Sequence, residues 1–286
     1  MNHRIKVVTD SNSGITEQMA DKLGVSVIPM PFYIDGEVYY EGLTLNQKEF
    51  FNYIENNSEV NTSQPAIGKV MELWDELLKV NDYIVYIPMS SALSGSYETA
   101  EAMAADYDGK VVVINNRRIS VTQLQSVIDA VNLVNKGKSA DEIKEILEAR
   151  QYNASIYIVP ETLDYLKKGG RVTPAVASFA KVLNIKPVLQ IQGEKLDSFR
   201  KVRGMKQARR VMKEAILEDI KNRFNNIENM KIYSAYTKDI ELGKQWQQEL
   251  QEFFPEYEIE LYPLSLSVSC HIGPGAIGIA CVEEIV

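Results

Sequence analysis

Cysteine and histidine are scarce: in 286 residues the chain has only Cys270, Cys281, His3 and His271. Cys270 adjoins His271, Cys281 lies eleven positions further on, and no other histidine is near. Neither a disulfide framework nor a metal-ligand set is expected. Positive charge is also in the minority, since 31 Lys and Arg stand against 39 Asp and Glu for a net charge of −8. That balance argues against general binding to nucleic acid or to an anionic membrane. No segment approaches the roughly eighteen apolar residues of a membrane span, and the opening Met-Asn-His-Arg-Ile-Lys-Val-Val has no apolar core of signal-peptide length. A cytoplasmic protein without an integral membrane segment is expected. Two phosphate cradles are missing as well, the Walker A pattern and the G-x-G-x-x-G fingerprint. ATP and dinucleotides find no recognisable seat, and no cofactor is expected.

The rest of the composition, 45% hydrophobic and 24% charged, is that of a globular chain long enough for about two domains. β-branched runs at 4–9, 25–30, 83–87 and 110–114 alternate with helical spacing at 16–23, 46–56, 66–79, 96–104 and 119–134. Asp35-Gly36 between aromatic runs predicts a hairpin, and Ser139 with Glu142 a capping box. Through about Arg150 this order predicts a mainly parallel sheet with flanking helices. Strands at 155–159, 186–191, 195–200, 231–236 and 258–262, with helices at 161–168, 175–183, 205–223 and 239–253, predict a second α/β domain with a mixed sheet. The boundary is placed between 1–153 and 154–286, and His271 with its following glycines is read as a loop returning to a site between the two domains.

Chemistry concentrates in a few places. Ser90, Ser91, Ser94 and Ser96 crowd the turn between the strand Tyr83–Ile87 and a helix, where free N–H groups and a helix dipole favour an anion. Ser94 as a simple N-cap, with Gly95 easing the turn, accounts for the same residues. Thr62 and Ser63 precede Gln64-Pro65 and a second helix, with the same two readings. Asp10 and Ser11 end the first strand, where an Asx turn is favoured over a ligand site. Arg200, Lys201, Arg203, Lys206, Arg209 and Arg210 form either a solvated helix face or a docking patch for an acidic partner. Ser94 with His271 and an acid such as Asp10 would suit an acyl hydrolase or transferase. Ala92 stands where the G-x-S-x-G elbow needs its first glycine, however.

Thr62-Ser63-Gln64-Pro65, Ser90 to Tyr97, Leu166-Lys167-Lys168-Gly169-Gly170-Arg171, Lys186-Pro187 and His271-Ile272-Gly273-Pro274-Gly275 together resemble the DegV family of bacterial fatty-acid-binding proteins. The resemblance spans nearly the whole chain in the family's order. It implies a two-domain α/β fold enclosing one long-chain fatty acid as ligand, and a carrier that presents the carboxylate to a separate ATP-dependent fatty acid kinase for phospholipid synthesis. Catalysis would belong to that kinase subunit. Thr62 and Ser94 match positions that hydrogen-bond the carboxylate, His271 matches the histidine of the same network, and Arg171 an arginine at the site's mouth. The expected carboxylate set is therefore Thr62, Ser63, Ser94, Gly95 and His271, with Arg171, Arg203 and Arg209 at the mouth or against the partner. In place of the family's usual Asp-Ser after the strand at 110–114 stands Asn115-Asn116-Arg117-Arg118, with no glycine before Gly137, so a different loop shape is expected there.

Overall fold

The computed structural model describes residues 3–178, 185–224 and 227–285. They divide into two compact domains between Tyr152 and Asn153. No helix among the described residues is long and apolar enough to cross a membrane.

The first domain runs β1 (Ile5–Asp10), α1 (Glu17–Leu23), β2 (Ser26–Ile28), β3 (Pro31–Ile34), β4 (Glu37–Tyr40), α2 (Gln47–Glu55), β5 (Val60–Thr62), α3 (Ile67–Leu78), β6 (Tyr83–Ile87), α4 (Ser96–Ala104), β7 (Val111–Val113), α5 (Val121–Asn135) and α6 (Ala140–Ala149). Its principal sheet has the order β2-β1-β6-β7 and is parallel throughout. Parallel strands are covered on both faces, which is why Val7, Val8, Ile84 and Val85 read as apolar runs without alternation and are all buried. On one face Trp74 of α3 meets Tyr86 of β6 edge-on at 5.8 Å, with Val8, Val111 and Ala100 around them. Successive strands step outward from β1 on one side and from β6 on the other, so the order reverses between β1 and β6. Ligands of open α/β sheets bind at the carboxyl ends of the strands beside such a reversal.

A small antiparallel sheet, β4-β3-β5, stands beside this. Its hairpin turns at Asp35 (φ 50°) and Gly36 (φ 89°), the paired left-handed conformation for which Asp-Gly is suited. β5 was not foreseen, because three residues between a helix and Pro65 carry no readable alternation. The loop after β7 has no glycine. It places two residues with side chains, Arg117 (φ 52°) and Ser120 (φ 56°), in left-handed conformations.

The second domain runs β8 (Ala154–Val159), α7 (Asp164–Gly169), α8 (Pro174–Ala177), β9 (Ile185–Ile191), β10 (Asp197–Arg203), α9 (Gly204–Asn222), β11 (Met230–Tyr236), α10 (Ile240–Phe253), β12 (Ile259–Pro263), α11 (Leu266–Ile272) and β13 (Ile277–Glu283). The mixed sheet has the order β10-β9-β8-β13-β11-β12, parallel only between β11 and β12. Alternate residues of β8 divide its faces: Tyr157 and Val159 pack with Met212, Ile216 and Trp246 of α9 and α10, while Ile158 packs with Leu166, Val176 and Ile272 of α7, α8 and α11.

One expectation needs correction, and another falls largely outside the described residues. The reading of His271 as part of a loop fails, because Ser265 to Ile272 carries the apolar residues Leu266, Cys270 and Ile272 inward at helical spacing and forms α11. Of the apolar stretch 175–183, Ala175–Ala177 lies in α8, and 179–183 fall outside the described residues.

The capping box at Ser139 is formed in full: its hydroxyl accepts from Glu142 N at 3.2 Å while Glu142 Oε2 accepts from Ser139 N at 2.9 Å. Ser139→Ala should lower the stability of the first domain by about 1 kcal/mol. Each domain holds one tryptophan, Trp74 or Trp246. Urea unfolding followed by Trp74 emission in a Trp246→Phe background therefore reads this domain alone, and an unchanged midpoint would contradict the assignment.

Candidate functional site

Pro88 ends β6, and the chain then folds on itself through Leu93 N and Ser94 N, which both donate to Ser90 O at 3.0 and 3.2 Å. This brings the half-buried Ser94 to the start of α4. Ser94 is not the N-cap: Gly95 holds that position, and α4 has no side-chain cap. Ser94 Oγ instead accepts from Ser96 N at 3.2 Å and shares a hydrogen bond with Ser96 Oγ at 2.8 Å. A hydroxyl so placed keeps one further bond: its O–H is left to give when Ser96 Oγ is the donor of the pair, and a lone pair when Ser94 is. Gly95 itself is exposed.

Thr62 and Ser63 do not cap α3 either. Thr62 pairs with Phe32 as the last residue of β5, Ser63 is exposed with its N–H reaching Pro31 O at 3.4 Å, and the N-cap is Ala66. Neither Thr62 nor Ser94 is therefore the N-cap residue of the helix that follows it. The two segments meet through Gln64, whose Oε1 accepts from Thr99 Oγ1 of α4 at 3.1 Å and lies 3.5 Å from where a β-carbon on Gly95 would stand. Gln64 was not singled out from the sequence, where a lone glutamine before a proline carries no signal.

In the second domain the Gly-Gly-Arg and His-Ile-Gly motifs come together where α7 meets α11. A β-carbon on Gly169 would lie 2.3 Å from His271 Nδ1, and one on Gly273 (φ 84°) 2.3 Å from the Tyr165 ring. Only glycine permits either approach. Arg171 Nη1 donates back to Gly169 O at 2.6 Å, so Gly169 lies between the guanidinium and the imidazole. Burial, and after it the Arg171 charge, push the His271 pKa down to about 4. His271 is therefore a neutral imidazole at neutral pH. Burial likewise pushes the Cys270 thiol up to about 11 and the Cys281 thiol well above its ordinary value. Neither is a thiolate, and no group of three metal-ligating side chains occurs among the described residues.

Arg203 and Arg209 lie elsewhere in this domain, in a cleft of about 910 Å³ at the start of α9, lined also by Lys206, Arg210, Lys213 and Glu249. Arg209 is committed: it donates to Glu249, and its guanidinium carbon stands 6.0 Å from the centre of the Trp246 ring. Lys213 is 3.9 Å from Glu249, and Arg210 is 3.7 Å from Glu214. Arg203 and Lys206 form no ion pair with the described residues, and they are the charges this cleft offers to an incoming anion.

Residues 4–284 match the family model described as uncharacterised protein, DegV family. The chain belongs to the DegV family. A DegV domain-containing protein of Staphylococcus aureus is 30% identical over 278 residues, covering 97% of this chain and 98% of that one. Two solved DegV structures share its two-domain fold. That of a DegV family protein from Thermus thermophilus, reported for fatty acid binding, is 26% identical with a TM-score of 0.89, covering 98% of this chain and 99% of that one. That of DegV from Bacillus subtilis, described as a fatty acid binding protein, is 27% identical with a TM-score of 0.87, covering 99% and 100%.

The depressed His271 pKa has a consequence for stability. Unfolded, the imidazole takes a proton near pH 6.5, whereas folded it resists protonation to about pH 4. Between these values the unfolded chain binds more protons, so stability present above pH 6.5 is lost as pH falls toward 4. His271→Gln should flatten this part of the stability profile of the second domain, read by urea midpoints at stepped pH. An identical slope in both proteins would show that His271 is not held neutral by the fold.

Proposed function

We propose that the chain is a cytoplasmic carrier that binds one long-chain fatty acid non-covalently and presents its carboxylate to a separate ATP-dependent fatty acid kinase for acyl-phosphate formation. The carrying observation is the Ser94 hydroxyl at the carboxyl end of β6, beside the strand-order reversal, in a fold whose solved relatives are described as binding fatty acid. Thr62, Ser63, Ser94, the Gly95 backbone and the neutral N–H of His271 are the proposed carboxylate partners. An acyl chain of about sixteen carbons contributes roughly 10 kcal/mol gross, at about 0.8 kcal/mol per buried methylene, before association costs. The polar groups then orient the ligand more than they hold it.

The alternative, a Ser94/His271 acyl hydrolase or transferase, asks His271 to act as general base. An imidazole with a pKa of about 4 is too weak for that role at neutral pH. The basic cleft supports pairing with an acidic partner surface through Arg203 and Lys206, with Arg171 as a further contact; Arg209 serves it by holding Glu249 in place.

Purified protein extracted under denaturing conditions should release close to one equivalent of fatty acid, identified by mass spectrometry, and a ligand-free protein that takes up no fatty acid would end the carrier reading. Ser94→Ala should weaken binding by roughly 1.5–3 kcal/mol, about tenfold to a hundredfold, without abolishing it. Turnover of acyl esters by the wild type, lost in Ser94→Ala with affinity intact, would favour the hydrolase instead.

Arg203→Glu with Lys206→Glu should leave lipid content unchanged and slow acyl-phosphate formation by a cognate kinase at subsaturating carrier. The loss should shrink as salt rises. Rates equal to wild type at low salt would remove the cleft from partner recognition.

A further inference from the structure

Asp10, the last residue of β1, is fully buried and lies opposite the start of the Ser94 loop. Its Oδ2 accepts from Met89 N at 2.8 Å, and its Oδ1 accepts from Asn12 N at 3.0 Å, Asn12 Nδ2 at 2.8 Å and Gln123 Nε2 at 3.2 Å. The same Gln123 amide reaches Thr9 Oγ1 at 3.1 Å and Ile87 O at 3.3 Å, while Thr9 Oγ1 donates to Ile87 O at 2.8 Å. The final ladder pair of β1 and β6 is Thr9 with Ile87, so the Asp10 side chain extends that joint one step past the ladder, to the loop after β6. From there the path to Ser94 is short. Met89 is fixed by Asp10, Ser90 N by Arg118 O at 2.9 Å, and Ser94 N by Ser90 O at 3.2 Å.

We propose that Asp10 is the positioning residue for Ser94: its carboxylate sets the path of residues 88–95 and so the direction of the hydroxyl that meets the ligand's carboxylate. This rests on the fatty-acid reading above. A carboxylate suits the place because it is acceptor only and four donors converge on it. An amide of the same shape turns N–H groups toward at least one of those donors, leaving a buried N–H without an acceptor. Asp10→Asn therefore keeps the volume and releases the loop.

The test is a double-mutant cycle with delipidated protein and palmitate as the probe. Asp10→Asn should cost about tenfold or more in palmitate affinity when Ser94 is present, and less than about twofold in a Ser94→Ala background. Amide hydrogen exchange should speed up over Met89–Ser94 and stay unchanged in β6. A merely structural residue would lower the unfolding midpoint and shift affinity equally in both backgrounds, which would overturn the proposal. Affinity unchanged in both backgrounds would do the same. A wild type that binds no palmitate overturns the carrier reading instead, and is recognised before any variant is made. Should Asp10→Asn fail to fold, exchange in the wild type decides: Met89 N protected as well as the β1–β6 ladder supports the clamp, and Met89 N exchanging with the open loop overturns it.

Discussion

The carboxylate of Asp10 has no access to water, so every donor it needs is supplied by the chain. Two come from its own turn, one from the helix α5 and one from the loop after β6. Burial alone raises its pKa and the four donors oppose that rise. Removing any donor would leave the penalty of burial less compensated, so the three segments are held together by the cost of their separation. The loops beyond β1, β6 and β7 behave as one body for this reason. Ser90 N donates to Arg118 O, and Ser120 N to Asn12 O at 3.0 Å, which closes the ring of contacts. Asp10 and Ser11 read as an Asx turn from the sequence, and Asp10 does accept from Asn12 N. The same side chain also reaches 79 positions along the chain to Met89, which no local pattern announces.

What local pattern does announce, it announced well. The strands at 83–87 and 231–236, the Asp35-Gly36 hairpin and the Ser139 box all depend on residues within a few positions of one another, and such signals survive in a bare sequence. The failures are of two kinds. β5 and α11 are short and depend on partners far away in sequence: β5 exists because Phe32–Ile34 offers it an edge, and α11 because Gly169 of α7 and Gly273 at its own end let the two helices approach. The other failures concern charge. The charge state of His271 carries no sequence signal, and burial beside Arg171 makes it neutral. Of the six cations in eleven residues, Arg209 and Arg210 pair with Glu249 and Glu214, 40 and four positions away, and the first of these pairs no local pattern announces.

The hydroxyl groups show how function was legible in part. Helix starts attract serine and threonine for capping, so Thr62 and Ser94 had an adequate local explanation. Neither is the N-cap residue, since those positions are Ala66 and Gly95, although Ser94 Oγ still accepts from Ser96 N at the start of α4. Position and composition supply the rest: the hydroxyls stand at the carboxyl side of a parallel sheet, next to the reversal of strand order, in a family with fatty-acid-binding members.

A carrier has to hold its ligand and also give it up, and these demands fall on different parts of the molecule. Under the proposed reading, affinity comes from methylene burial, which has no direction and tolerates small shifts of the chain. Reactivity depends on the carboxylate, whose geometry a kinase would have to meet closely. Strong charges at the head group would raise affinity where it is not needed and compete with the partner's own cations. The groups offered are weak by comparison: serine and threonine hydroxyls and a histidine kept neutral by burial. Neutral donors orient a carboxylate at a cost the buried chain can offset, and they leave its charge available to whatever binds next. Under the proposed reading, the neutrality of His271 costs binding strength and would keep the head group transferable.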